Sequence, residues 1–274
     1  MKVSILIVAY NAENFISDCI NSVAAQTYND YEAIVIDDGS TDKTFEIISK
    51  ISDRRFRFYH RHHDYISSLN FGLRQAKGTY IARMDADDIM FSNRLEEQVC
   101  LMELQPDVDV CCSWASILSN PSKVIGCGKG RIQEPLSELL INNIFIHPSS
   151  MIKRDFLLKH KLNYKNYQYA EDYKLWFDIA ARGGLFWVIP KTLIKYRISD
   201  NQISHKYCQE QHKTAVRIRN EVLLAILNSK KVAELDTLQS IYKKMEYLNK
   251  KGLLSSGAIR NIVYMIYNEI KQNM

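Results

Sequence analysis

VSILIVAY, residues 3–10, is an apolar run interrupted only by Ser4, and NAENFISDCINSVAAQ, residues 11–26, follows it with apolar residues at helical spacing. The same couple returns three times: EAIVIDD (32–38) before DKTFEIISKI (42–51), FRFYHR (56–61) before SSLNFGLRQAKG (67–78), and YIARMDADD (80–88) before SNRLEEQVCLMEL (92–104). Short buried strands alternating with amphipathic helices predict an α/β domain with a mostly parallel sheet flanked by helices. Asp42 and Ser92 are placed to cap helix starts, Gly78 lies past one helix end, and Pro106 stops another. A fifth apolar run, DVDVCCSW (107–114), leads into a loop-rich stretch around Gly126, Gly128, Gly130 and Pro135. A helix over 172–181 and a strand around LFWVIP (185–190) follow.

From about Lys206 the pattern is helix only, with breaks near Asn228–Ser229 and over Gly252–Gly257. The last segment puts Ile259, Ile262, Val263, Ile266 and Ile270 on one face. The expected division is a domain over 1–205, with halves 1–115 and 116–205, and a helical extension over 206–274.

The 274 residues are 46% apolar and 24% charged, values of a globular chain that exclude disordered and fibrous classes. The net charge of +5 is mild and sits in the extension, where Lys and Arg outnumber Asp and Glu. That surface is either solvated, packed on the first domain or a second copy, or turned towards something anionic such as a membrane face. No nucleic-acid partner is expected. Six cysteines without CxxC or zinc-type spacing read as buried, reduced thiols. A first strand beginning at Lys2 leaves no room for a signal peptide, and no apolar run reaches the length of a membrane span, so a cytoplasmic location is expected.

In parallel sheets, ligands bind beyond the carboxyl ends of strands. Four such ends are Ala9-Tyr10-Asn11, Asp37 to Ser40, His60 to His63, and Asp85 to Asp88. VAYNAEN (8–14) has no glycine-rich turn, which excludes the dinucleotide fingerprint, the P-loop and a nucleotidylyltransferase. IGCGKGR (125–131) is followed by no clear helix and reads as loop. No Ser-His-Asp or Cys-His arrangement is evident. The histidines at 60, 62 and 63 include adjacent strand residues that point to opposite faces, so a shared metal is not expected.

Three aspartates within four positions of ARMDADD (82–88) resist burial unless a cation offsets them. Two-residue periodicity puts Asp85 and Asp87 on one face, and hard carboxylate oxygens suit Mg²⁺ or Mn²⁺. The competing reading, an acidic turn capping the next helix, suits Asp88. Arg83 shares the face and either meets a donor phosphate or bridges an acid.

AYNAENFISDCINSV, VIDDGSTDKT, LNFGLRQAKGTYIARMDADD and YAEDYKLW, in that order, resemble the inverting, nucleotide-sugar-dependent glycosyltransferases of the GT-A fold, glycosyltransferase family 2. The similarity covers roughly residues 1 to 200. It implies a Rossmann-like nucleotide-diphospho-sugar transferase with an α-helical C-terminal extension. It also implies roles: Ala9, Tyr10 and Asn11 at the nucleoside, Asp38 on the base, Asn70 near the nucleotide, Asp85 at ribose or metal, and Asp87 on the metal. Asp172 would be the catalytic base, with Glu171, His147 and Arg197 near acceptor or diphosphate. Asp172, at the start of a helix, gains support for its charged form from the dipole; read without the resemblance, Glu171 and Asp172 are capping acids. His147 could equally be a loop histidine satisfied by backbone.

Two departures from the family pattern stand out. Leu69 occupies the place of an arginine, and Ser199 that of a histidine, for which His205 or His147 could substitute. The implied donor is a nucleotide sugar, most often carried on UDP, the cofactor Mn²⁺ or Mg²⁺, and the acceptor a glycan or lipid-linked glycan of surface polysaccharide synthesis. Peripheral membrane contact or a homodimer through the C-terminal helices would fit the extension. A non-catalytic nucleotide-sugar binding or scaffold protein with the same fold is the alternative.

Overall fold

The computed structural model describes residues 1–126, 128–198 and 206–229, with a scattering of positions from 244 to 262. Ten strands form one sheet: β1 (Val3–Ala9), β2 (Tyr31–Asp37), β3 (Phe56–His60), β4 (Tyr80–Asp85), β5 (Ile89–Met90), β6 (Val110–Ile117), β7 (Asn120–Ile125), β8 (Gly130–Ile132), β9 (Met151–Lys153) and β10 (Phe186–Tyr196). Their order is β3-β2-β1-β4-β9-β6-β10-β5, with β7 on β6 and β8 on β10.

The β1, β2, β3 and β4 ladders are parallel, as is β6 with β10. Short β9 runs antiparallel between β4 and β6 and joins the two halves. The sheet is therefore mixed, though most of its ladder is parallel.

Period two in β1 sorts its side chains. Val3, Ile5, Ile7 and Ala9 enter one core with α1 (Ile16–Ala24), α2 (Thr44–Ser49) and α4 (Arg94–Leu104). Leu6 and Val8 enter the other with α3 (Tyr65–Gln75), α5 (Pro135–Ile141), α6 (Arg154–Lys159) and α7 (Glu171–Ala180). Each fully buried Ile or Leu contributes roughly 1.5–3 kcal/mol, which makes this double-sided burial the main source of stability. At Gly72 a Cβ would stand 2.1 Å from Leu6 Cδ1, so α3 lies directly on β1.

Several sequence expectations are corrected. Ser92 does not cap α4, where Asn93 is the N-cap without a side-chain bond; at α2 the N-cap is Lys43, and Asp42 just before it accepts from the Thr44 amide. The Gly-rich segment is not all loop, since Gly130–Ile132 pairs with β10. The late strand does not end at Pro190. It absorbs that residue at a register shift and continues to Tyr196, carrying Arg197 to the sheet's active end. Of the described cysteines, 19, 111 and 112 are buried and unpaired, whereas Cys100 and Cys208 are exposed; Cys127 lies outside the described residues.

Helix α8 (Cys208–Ser229) packs on α7, with Ile218 and Val222 in the shared core. The expected boundary at 205 and the face built from Ile259 to Ile270 fall largely outside the described residues, as do Ser199 and His205. Among the described residues no helix is long and apolar enough to cross a membrane.

Candidate active site

Strand order reverses about β1, whose neighbours are β2 and β4, so the carboxyl ends of these three strands open on one crevice. At the β1 end, Ala9 is buried and its carbonyl accepts from the Asp38 amide at 2.8 Å. Tyr10 is exposed and stacks on His63 with centroids 3.9 Å apart. Asn11 takes a left-handed φ of 50°, and its side-chain oxygen accepts from the Thr41 amide at 2.9 Å.

Asp38 is fully buried. Its Oδ1 accepts from Ser68 Oγ (2.5 Å) and the Asp64 amide (3.1 Å), while Oδ2 meets His63 Nδ1 at 2.9 Å. Asp37 pairs likewise with His60, at 2.7 Å. The two histidines serve separate aspartates. Gly39, with φ +75°, makes this turn possible, for a Cβ there would lie 2.8 Å from the His63 amide nitrogen.

Asn70 also faces inward. Its amide spans the main chain of Tyr164, donating to the carbonyl (2.8 Å) and accepting from the amide (2.9 Å), so it fastens the 164 loop to α3. Leu69 is core.

At the β4 end the strand stops at Asp85, and Asp87 and Asp88 follow in the turn. The turn, rather than strand periodicity, gathers the three acids, whose ligand oxygens lie within 4.8 Å of one another. Buried Arg83 donates to Asp85 at 2.7 Å and to Tyr65 at 2.9 Å, bridging an acid. Burial, reinforced by the neighbouring charge of Asp85, pushes Asp87 up to about 6. The same two causes raise Asp88 well above the carboxylate range. Asp88 Oδ1 accepts from the Arg197 amide (2.8 Å), yet its buried Oδ2 has no partner. Arg197 Nε donates to the Asp87 carbonyl at 2.8 Å, and its guanidinium lies over Phe15. A cluster of repelling oxygen donors with an orphaned buried oxygen fits a hard divalent cation.

A cleft of about 270 Å³ brings Asp85 and Asp172 together, lined also by Phe145, His147 and Tyr196. Glu171 and Asp172 open α7 after Ala170, which provides no side-chain cap. Asp172 Oδ1 accepts from the Tyr173 amide (2.6 Å) and Oδ2 from Asn143 Nδ2 (3.0 Å). Burial outweighs these bonds and the helix dipole, so Asp172 rises to about 6, against the expected support for its charged form. Glu171 rises further, to about 8, through burial and the charge of Asp172. His147 is buried and hydrogen-bonded to the Tyr164 hydroxyl at 2.8 Å, not to backbone; burial drives its pKa well down and keeps it neutral.

The sequence reading missed Asn143, Tyr164 and Tyr65. Asn143 sits in a loop with no periodicity, and only the fold carries it to Asp172.

The model of glycosyl transferase family 2 matches residues 4–164. A protein of Haemophilus influenzae described as an uncharacterized glycosyltransferase is 35% identical over 280 residues, covering 97% of this chain and 85% of that one. The O-antigen biosynthesis glycosyltransferase WbnJ of Escherichia coli is 29% identical over 205 residues, 72% of this chain and 79% of its own. Among solved structures, the 1–349 fragment of S. aureus TarS with UDP-GlcNAc superposes with a TM-score of 0.65 at 20% identity, over 91% of this chain and 72% of that one. The chain is a glycosyltransferase and belongs to glycosyl transferase family 2.

Proposed function

We propose that this chain transfers a sugar from a nucleoside-diphosphate donor, a UDP-sugar, to a hydroxyl of a glycan or lipid-linked glycan of surface polysaccharide, with inversion at the anomeric carbon. The observation that carries the reading is the pairing of Asp85 and Asp172 on one cleft, with Asp172 held near a pKa of 6. A base of that pKa is ionised at neutral pH and still takes a proton readily. The UDP-GlcNAc bound by TarS supports the donor class, and the O-antigen role of WbnJ supports the product class.

In this mechanism Tyr10 and Asn11 line the nucleoside pocket, and Asp38 acts on it through His63. The acceptor oxygen bonds to the anomeric carbon as the bond to the diphosphate breaks. Its proton passes to Asp172, and the nucleoside diphosphate leaves with the bonding pair. Asn143 and the Tyr173 amide hold the Asp172 carboxylate towards the acceptor. Asp85 and Asp87 would hold Mn²⁺ or Mg²⁺, whose charge offsets that of the departing diphosphate.

The test compares wild type and Asp172→Asn for melting temperature with UDP-, GDP-, CDP- and dTDP-sugars, with and without each metal, and for transfer. A donor at about 100 times its dissociation constant stabilises by about 2.7 kcal/mol, and both proteins should show this with one nucleotide and metal. Transfer should fall by about 10²–10⁴ in the variant alone. Retained transfer would move the base elsewhere, and binding without transfer in wild type would favour the non-catalytic alternative.

A further inference from the structure

The segment Tyr167–Ala170 leads directly into Glu171 and Asp172, and its backbone sets the direction in which α7 leaves. Tyr169 has φ 63°, a left-handed conformation that bulky residues avoid and that persists only when surroundings impose it. The surroundings are α8 and the residue before it. Gln211 Nε2 donates to the Tyr169 carbonyl at 2.8 Å, and the Tyr207 ring stacks on Tyr169 at 4.5 Å and 11°. Two turns or more along, Glu221 accepts from the Tyr167 hydroxyl at 2.5 Å and Arg217 covers the Tyr167 ring at 4.9 Å. Positions 207, 211, 218 and 221 fall on one helical face, where Ile218 is fully buried. None of these side chains lines the cleft among the described residues.

We infer that α8 is a strap for transfer, in which Tyr207 and Gln211 hold Tyr169 in its left-handed conformation and so fix the Glu171–Asp172 pair against the cleft. Tyr207 and Gln211 are positioning residues: they touch neither base nor donor, and they act through the backbone of one loop. The inference rests on Asp172 as the base, and assigns the start of the helical extension to the catalytic unit.

The test is hydrogen exchange of the full chain, paired with UDP release from UDP-GlcNAc using water as acceptor. Wild type, Tyr207→Ala/Gln211→Ala, Tyr207→Phe and Asp172→Asn are compared. Loss of one hydrogen bond and one ring stack should speed exchange about tenfold over Tyr167–Lys174 and lower kcat about tenfold at unchanged KM. Tyr207→Phe keeps the stack and should behave as wild type. Unchanged exchange in that segment, or unchanged kcat, overturns the strap. Faster exchange throughout the sheet with a lower melting temperature overturns it too, by making α8 a general stabiliser. Asp172→Asn separates the two ideas, because its undiminished turnover would sink the base assignment while leaving the exchange result standing. If wild type releases no UDP, the donor assignment fails and exchange alone decides.

Discussion

Asp37–Asp38 at the end of β2 and Asp85 to Asp88 at the end of β4 lie on strands that flank β1, and in sequence they look alike. In the folded chain they differ. Asp38 is enclosed by three partners from the loop and helix that follow β3, so its charge is part of the architecture. Asp87 and Asp88 repel Asp85 and each other; each strand end keeps one buried oxygen without a partner, Asp37 Oδ1 and Asp88 Oδ2, so it is the mutual repulsion that marks the β4 end. Acids at a strand end thus mark either a built turn or a ligand still to come, and the distinction lies in where the donors are.

The largest expected effect tests the enclosed member. Asp38→Ala strands the Asp64 amide, the Ser68 hydroxyl and His63, and should destabilise by about 3 kcal/mol in thermal or urea unfolding. Asp87→Ala should show no comparable loss. If the two variants lose equal stability, the contrast between the strand ends is wrong.

The repelled member should reveal itself through pH. Asp87 has a folded pKa near 6, raised above the ordinary carboxylate value, so the native chain holds a proton that the unfolded chain has released. Its contribution is full below about pH 4 and is lost as pH rises through 6, about 3 kcal/mol in total for the metal-free protein. Asp87→Asn should remove that loss and leave the chelator-treated protein more stable than wild type at pH 7. Added Mn²⁺ or Mg²⁺ should reverse the order, since the ion stabilises the charged form, and its affinity should fall as pH drops below about 6. A calorimetric titration that shows no proton release on metal binding at pH 6 would break this picture.

How much of this was readable beforehand follows from the range of each signal. The four strand-helix couples and the acids at their ends were legible because period and local order decide them, as the buried alternation of β1 shows. β5, β8 and β9 span two or three residues each, too few for a period, and their pairing is set by elements far along the chain. The burial of Asp38 depends on His63 and Ser68, 25 and 30 positions away, and the orientation of Asp172 on Asn143, 29 positions away. Helix position alone suggested a depressed Asp172; burial in the assembled cleft reversed the sign.

The smallest effect concerns Glu171. Burial raises both members of the pair Glu171 and Asp172, Glu171 further, and the lower step belongs to the carboxylate held by Asn143 and the Tyr173 amide. When Asp172 ionises, Glu171 is still neutral, so it exerts no charge on that step. Glu171→Gln should therefore leave the acid limb of the kcat profile near 6 and remove only an inflection near 8. An acid limb displaced towards 4 would mean that the two carboxyls share their first proton, and loss of turnover would move the base from Asp172 to Glu171. Either result would turn the contrast between enclosed and repelled acids into one drawn inside the Glu171–Asp172 pair itself.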